Sequence, residues 1–296
     1  MDIASAFRLD GRVGLVTGGS RGIGRMIVEG LLSAGAERVY ISARKAEELE
    51  ATAQGLGPRC IPLQADLGQE EGVTRLAAAI AEREPQLDML VNNAGIAWGA
   101  SFDSFPVSGW DKVMDINLRA PFFLTQQLRP QLREAGQQRR AKVINIASID
   151  GLRPSPWESY SYQASKAALI HLTRRMAAEL VSDGIIVNAL SPGFFASRMN
   201  RAASIAPDRA AAPIPAGRLG APLDIAAAAV ERGCDLLAPN RWKRHPGRAI
   251  LDLGGCGLWH FLPRCRNGFD TQFPTARQWL MPLPPTPTSR LANKSG

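Results

Sequence analysis

Short apolar runs alternate with stretches of helical period along most of the chain. Arg12-Val13-Gly14-Leu15-Val16 reads as a buried strand, and Ile27, Leu31 and Leu32 recur behind it at helical spacing. Gly35 ends that helix, and Val39-Tyr40-Ile41-Ser42 reads as a second strand. A helical stretch over 46–55, a strand at Cys60–Gln64 and a helix from Gln69 to about Arg83 follow. Leu87-Asp88-Met89-Leu90-Val91 is the fourth strand, and residues 106–135 read as one long helix in which Pro121 makes at most a kink. Lys142–Ser148 is the fifth strand, loop 149–160 holds Pro154 and Pro156, the next helix carries Tyr162 and Lys166, and Ile185–Leu190 is the sixth strand. Strands alternating with helices at this spacing predict an α/β fold, a single doubly wound Rossmann domain with a parallel sheet flanked by helices. The pattern places that domain at residues 1–230 and leaves an irregular tail at 231–296. Ligands of such a sheet sit outside the carboxyl ends of its strands.

Composition narrows this only a little. In 296 residues, 45% are apolar and 21% charged, which is ordinary globular usage. No early apolar run resembles a signal peptide, and no apolar segment is long enough for a bilayer. The four cysteines lack a repeating spacing. Together these predict a cytoplasmic protein without membrane association. The net charge is +8, but residues 231–296 hold ten Lys/Arg against four Asp/Glu, so most of it lies in the tail. Nucleic acid is therefore not expected as a partner.

Candidate chemistry falls on the predicted ligand edge. The first strand runs into Thr17-Gly18-Gly19-Ser20-Arg21-Gly22-Ile23-Gly24 and then a helix. Glycines there let backbone approach a pyrophosphate, and the helix N-terminus offers it unsatisfied N–H groups. A dinucleotide selective for NAD meets an acid after the second strand. Here Ser42-Ala43-Arg44-Lys45 has none, and Arg44, helped by Arg21, can pair with a 2′-phosphate, which favours NADP. Asp66 and Leu67 follow the third strand, where an adenine could lie, although Asp66 can equally cap the next helix. Asn92-Asn93-Ala94-Gly95 follows the fourth strand, Ser148 closes the fifth, and Ser191-Pro192-Gly193 follows the sixth.

Tyr162 and Lys166, four apart, share a helix face. A neighbouring cation favours phenolate over phenol, bringing a pKa near ~10 closer to working pH. Such a pair can pass a proton to or from a carbinol oxygen. Tyr160 is a rival phenol, but six residues from Lys166 it cannot share that face.

Taken together, Thr17-Gly18-x-x-x-Gly22-x-Gly24, Asn92-Asn93-Ala94-Gly95, Asn117, Ser148, Tyr162-x-x-x-Lys166 and Pro192-Gly193 resemble the short-chain dehydrogenase/reductase family over about residues 8–230. Trp98-Gly99-Ala100, Pro106–Trp110 and Ser197-Arg198-Met199 are similar to 3-oxoacyl-acyl-carrier-protein reductases of the rhamnolipid-pathway type. The resemblance implies NADPH-dependent reduction of a 3-oxoacyl thioester carried by acyl carrier protein, in fatty acid or rhamnolipid precursor supply. Tyr162 would donate the proton, Ser148 would hydrogen-bond the ketone oxygen, Lys166 would hold the ribose and lower the Tyr162 pKa, and Asn117 would hold a water leading to Lys166. The cofactor would lie along Thr17 to Gly24, Arg44, Asp66, Leu67, Asn93, Ala94, Gly95, Tyr162, Lys166, Pro192 and Gly193. Arg129, Arg133, Arg174 and Arg175 are candidates to dock the acidic carrier, or are ordinary solvated charges. A homo-oligomer, tetramer or dimer, is also implied. Other readings are a short-chain oxidoreductase acting on another ketone or on a secondary alcohol, or a cofactor-binding protein inactive because of its tail.

That tail departs from the family. After Gly217–Ala226 an apolar helix, Thr-Gly, a last strand and Asp-Gly-Gly are expected, and Ile250–Gly255 matches only in part. Residues 231–296 hold three of the four Cys, three of the six Trp and two of the three His. Cys234, Cys256 and Cys265 with His245 and His260 match no zinc spacing, so no metal is expected. With each new codon taking two bases from one residue and one from the next, Trp242-Lys243 must encode Gly and Asn240-Arg241 can encode Thr, which predicts a frameshift between about Val230 and Cys234.

Overall fold

Seven parallel strands build one sheet in the order β3-β2-β1-β4-β5-β6-β7. They are β1 (Val13–Thr17), β2 (Arg38–Ala43), β3 (Cys60–Gln64), β4 (Met89–Asn92), β5 (Ala141–Ile146), β6 (Ile185–Pro192) and β7 (Ile250–Leu253). The computed structural model describes residues 4–197, 199–200, 205–212, 214, 216–233 and 250–253. All of these fall in a unit spanning Met1–His260, and a second unit, Phe261–Gly296, contains none of them.

The helices are α1 (Gly22–Ser33), α2 (Ala46–Leu56), α3 (Glu70–Ala81), α4 (Val107–Met114), α5 (Ala120–Gln127), α6 (Arg129–Arg139), α7 (Tyr160–Leu180), α8 (Pro207–Ala211) and α9 (Pro222–Gly233). Strand alternation sends neighbouring side chains into opposite layers. Val16, Val91 and Ile144 join Ile27, Leu31 and Ile225 of α1 and α9 on one face. Leu15, Leu90 and Val143 join Leu76, Leu124 and Met176 of α3, α5 and α7 on the other. Both faces are thus covered, which is why the inner strands read as continuous apolar runs. Pro62 lies in β3 without harm because β3 is the sheet's edge.

The parallel sheet expected from the sequence is present, with two differences. The stretch read as one helix is broken: α4 passes into a π-helical turn, Asp115–Arg119, where the Ala120 N–H bonds the Asp115 carbonyl. Pro121 cannot donate to the Asn117 carbonyl four residues back, so a regular α-helix cannot run through this point. Pro130 repeats the effect at Gln126, and α5 and α6 meet at Leu128. The second difference is at the end of the sheet. α9 reaches Gly233, and Ile250–Leu253 pairs with Ala189–Pro192 as a seventh strand. The tail's other residues, with its cysteines, histidines and shifted-frame segment, lie outside the described residues. Among those described, no helix is long and apolar enough to cross a membrane.

The strand order reverses direction between β1 and β4. Their carboxyl ends therefore flank the crevice where a doubly wound sheet takes a ligand.

Candidate active site

Thr17 fastens the two sides of that crevice. Its hydroxyl accepts from the N–H groups of Asn93 and Ala94, both at 3.0 Å, and Asn93 Nδ2 returns bonds to the carbonyls of Thr17 at 2.8 Å and Gly18 at 3.1 Å. Thr17 is 1% exposed, so its part is to hold the loop. Gly18 and Gly22 have φ of 65° and 53°, the left-handed region glycine adopts without strain. A methyl group at Gly24 would strike the Gly18 carbonyl and Asn93 Nδ2, whereas one at Gly22 would meet only Ser197 Cβ at 3.7 Å. The loop is closed on its inner side and open on its outer side. α1 has no side-chain cap and no acid in its first turn, leaving N–H donors for an anion. These features fit a dinucleotide pyrophosphate. Gly19 packs on Ile41, the Ser20 carbonyl accepts from Thr52, and Ile23 packs into the core.

The outer side opens into a cleft of about 370 Å³ lined by Ser20, Arg21, Gly22, Arg25, Glu48 and Thr52. Arg21 reaches Glu48 at 3.2 Å. Arg44 is exposed, directly after β2. Asp66 turns back on the Gly68 N–H at 3.1 Å, Gln69 takes the N-cap position of α3, and Leu67 is buried. Pro192 ends β6 and Gly193 follows it.

Four elements bring the proton-handling side chains together. Ser148 lies two residues past β5, and Tyr162 and Lys166 lie in the first two turns of α7. Lys166 Nζ donates to the Ile146 carbonyl at 2.7 Å and sits 5.8 Å above the Tyr162 ring. A methyl at Gly95 would come within 3.2 Å of Asn117 Oδ1 and 3.5 Å of Lys166 Nζ, so β4's end, the π turn and α7 converge there. Asn117 is fully buried, accepting from the Ile96 N–H and donating to the Ile96 carbonyl at 2.9 Å each and to Ser165 Oγ at 3.0 Å. Tyr160, the rival phenol, packs edge-on against Phe102 and Phe105.

Burial governs the electrostatics. Lys166, 4% exposed, is pushed down to about 8 by desolvation. Tyr162 is pushed above the usual phenol value, chiefly by desolvation of its hydroxyl end and further by Asp150, while the Ser148 hydroxyl hydrogen-bonds it and opposes the rise. The expected lowering of Tyr162 by Lys166 is therefore corrected: the ammonium points at Ile146, and desolvation wins. A neutral phenol is the form that can donate a proton.

Of the basic residues named as a docking face or as ordinary solvated charges, three sit in surface ion pairs. Arg129 and Arg133 reach Asp183 at 2.7 and 3.8 Å, on the turn entering β6, at the sheet edge away from Ser148. Arg175 pairs with Glu179 at 2.6 Å.

Sequence reasoning missed the supports. Asn92 Nδ2 bonds Asn145 Oδ1 at 2.9 Å and Thr125 Oγ1 at 3.3 Å, and Asn145 bonds Thr173 at 2.8 Å, tying β4 and β5 to α5 and α7. Polar residues inside apolar strands were the signal for it.

Fold and site together define a dinucleotide-dependent oxidoreductase. The family model described as short chain dehydrogenase matches residues 12–207. The rhamnolipids biosynthesis 3-oxoacyl-acyl-carrier-protein reductase of Pseudomonas aeruginosa is 49% identical over 230 residues, 76% of this chain and 90% of that protein. The 2-dehydro-3-deoxy-D-gluconate 5-dehydrogenase of Dickeya dadantii is 34% identical over 235 residues, 77% of this chain and 90% of that one. The solved RhlG/NADP active-site complex of Pseudomonas aeruginosa superposes with a TM-score of 0.78 at 43% identity, covering 85% of this chain and 98% of that one. A gluconate 5-dehydrogenase from Burkholderia cenocepacia in complex with NADP and tartrate gives 0.75 at 30% identity, covering 86% and 98%. The chain belongs to the short chain dehydrogenase family.

Proposed function

We propose that this protein is an NADPH-dependent reductase of 3-oxoacyl thioesters carried by acyl carrier protein. The observation that carries the substrate choice is the apolar rim beside Ser148 and Tyr162: Leu152 and Trp157 are 39% and 61% exposed, and Trp98 and Phe102 on the loop after β4 are 37% and 77% exposed. An acyl chain covers such a surface, whereas a sugar acid leaves it wet. The likeness to the rhamnolipids biosynthesis reductase supports the same choice over the gluconate dehydrogenases.

NADP would be held by the Gly18–Gly24 loop, by Asn93 to Gly95, and by Lys166 at the ribose, with Arg44 and Arg21 at the 2′-phosphate. When bound in its reduced form it supplies the hydride. The protein supplies the proton: Tyr162 O–H gives it to the ketone oxygen, and Ser148 O–H donates to the same oxygen as negative charge develops there. Lys166, buried beside Asn117 with its Nζ on the Ile146 carbonyl, holds the cofactor ribose, and Asn117 holds the route by which a proton returns.

Steady-state NADPH oxidation tests the reading. Turnover with a 3-oxoacyl thioester and none with a keto-sugar acid is expected; the reverse preference would overturn it. The cofactor choice has its own test. Arg44→Asp is expected to weaken NADPH binding by roughly 10- to 100-fold, the worth of charge-assisted hydrogen bonds, and to narrow the preference over NADH. An unchanged ratio of the two dissociation constants would remove Arg44 from that role.

A second copy of the chain is the partner proposed for α5, where Phe122 and Phe123 are 37% and 41% exposed; a monomer in sedimentation would contradict it. The shifted frame is proposed for the tail, and coding DNA that lacks Thr-Gly in that frame would dismiss it.

A further inference from the structure

Between Ser148 and Tyr162 the chain makes a long excursion. Its opening turn, Ile149–Gly151, packs on α7, where a methyl at Gly151 would meet the Lys166 carbonyl carbon at 2.7 Å. From there to Ser159 no helix or strand holds the backbone. A single side chain does much of the work. Gln163 Oε1 accepts from the Ser155 N–H at 3.1 Å, and its Nε2 donates to the carbonyls of Trp157 at 3.0 Å and Ser155 at 3.4 Å. An N–H can only donate and a carbonyl only accept, so one orientation of the amide satisfies all of these partners. Further tethers join this loop to the one after β4: the Ala100 N–H bonds the Glu158 carbonyl at 3.1 Å, and Phe102 and Phe105 meet Tyr160 edge-on with ring centroids 5.6 and 5.7 Å apart.

The stapled loop carries Leu152 and Trp157, the exposed apolar side chains nearest in sequence to the catalytic groups. Gln163 follows Tyr162 directly, and successive helix residues point about 100° apart. One therefore serves the reacting oxygen while the other grips the loop.

We propose that Gln163 is a specificity-determining positioning residue, holding residues 155–157 so that Leu152 and Trp157 form the wall along which the substrate's acyl chain lies. This rests on the thioester reading above. Gln163 then sets how tightly a long acyl chain binds and leaves the rate of reduction of a bound ketone unchanged.

Two variants test it. Gln163→Leu removes every staple bond. Gln163→Glu keeps the size and the acceptor for Ser155 but sets a carboxylate against two carbonyls. For a long-chain 3-oxoacyl thioester, both are expected to raise KM about 10-fold with kcat changed less than about 2-fold. With acetoacetyl thioester both constants stay within about 2-fold, and NADPH affinity is unchanged. Amide hydrogen exchange over 152–159 quickens in both variants without change in β1. Equal losses on long and short substrates, a fall in kcat at constant KM, or unaltered exchange would each overturn the proposal. A wild type inert toward thioesters overturns the substrate reading and the acyl-wall role with it, while exchange still reports whether the staple exists.

Discussion

Tyr162→Phe is expected to lower kcat for ketone reduction by at least about 10²–10⁴-fold while changing NADPH affinity less than about 3-fold. Phenylalanine fills the same space on α7 and leaves the Lys166–Ile146 bond and the Gly95–Asn117–Lys166 junction in place. What it removes is the O–H that gives its proton to the ketone oxygen, a phenol that desolvation holds further from ionising. A variant that bound NADPH normally and kept a tenth or more of wild-type kcat would remove Tyr162 from its role. Loss of cofactor binding together with turnover would assign it a structural part.

Lys166→Met is expected to abolish turnover and, in the cofactor-free protein at pH 7, to raise stability by up to about 3 kcal/mol. Burial lowers the lysine from 10.5 to about 8, so the folded state holds its proton less tightly than the unfolded chain. Below pH 8 both states are charged and the burial penalty is present in full. Between 8 and 10.5 the unfolded chain binds a proton that the folded one has lost, and stability rises with pH. The gap between wild type and variant should therefore narrow through that window and close above it. Melting temperatures at pH 7 and pH 10 check this. A variant less stable than wild type at pH 7 would show that the Ile146 bond outweighs desolvation. A stabilising loss of function is what a group held under strain for catalysis predicts.

Much of this was legible beforehand where one periodic signal dominated. Strands buried on both faces wrote themselves as apolar runs, and Gly18, Gly22 and Gly24 between a strand and a helix marked the tight loop at the mouth of the crevice. The placing of Ser148 past β5 and of Tyr162 and Lys166 on α7 was legible because strand end and helix face are local properties. The π turn at Asn117 was not read, although Pro121 four residues on carried the reason: a missing N–H is local, but which way the helix yields depends on its packing. β7 was legible only in part: Ile250–Gly255 matched the expected last strand and its ending incompletely, and Asp252 interrupts its apolar run. The sign of the Tyr162 shift was misjudged for a physical cause. A charge four residues away is visible in sequence, whereas the water excluded around a hydroxyl is a property of the assembled site. Gln163 stood in plain view between the catalytic residues, but its partners come from a loop without period.

The most direct test follows a single atom. With NADPH carrying deuterium at the transferable position of its nicotinamide, wild-type protein and a 3-oxoacyl-acyl-carrier-protein should give a 3-hydroxyacyl product with one deuterium at carbon 3, and Tyr162→Phe should give almost none. Wild-type protein that binds the cofactor yet leaves carbon 3 unlabelled and the ketone unreduced would contradict the account.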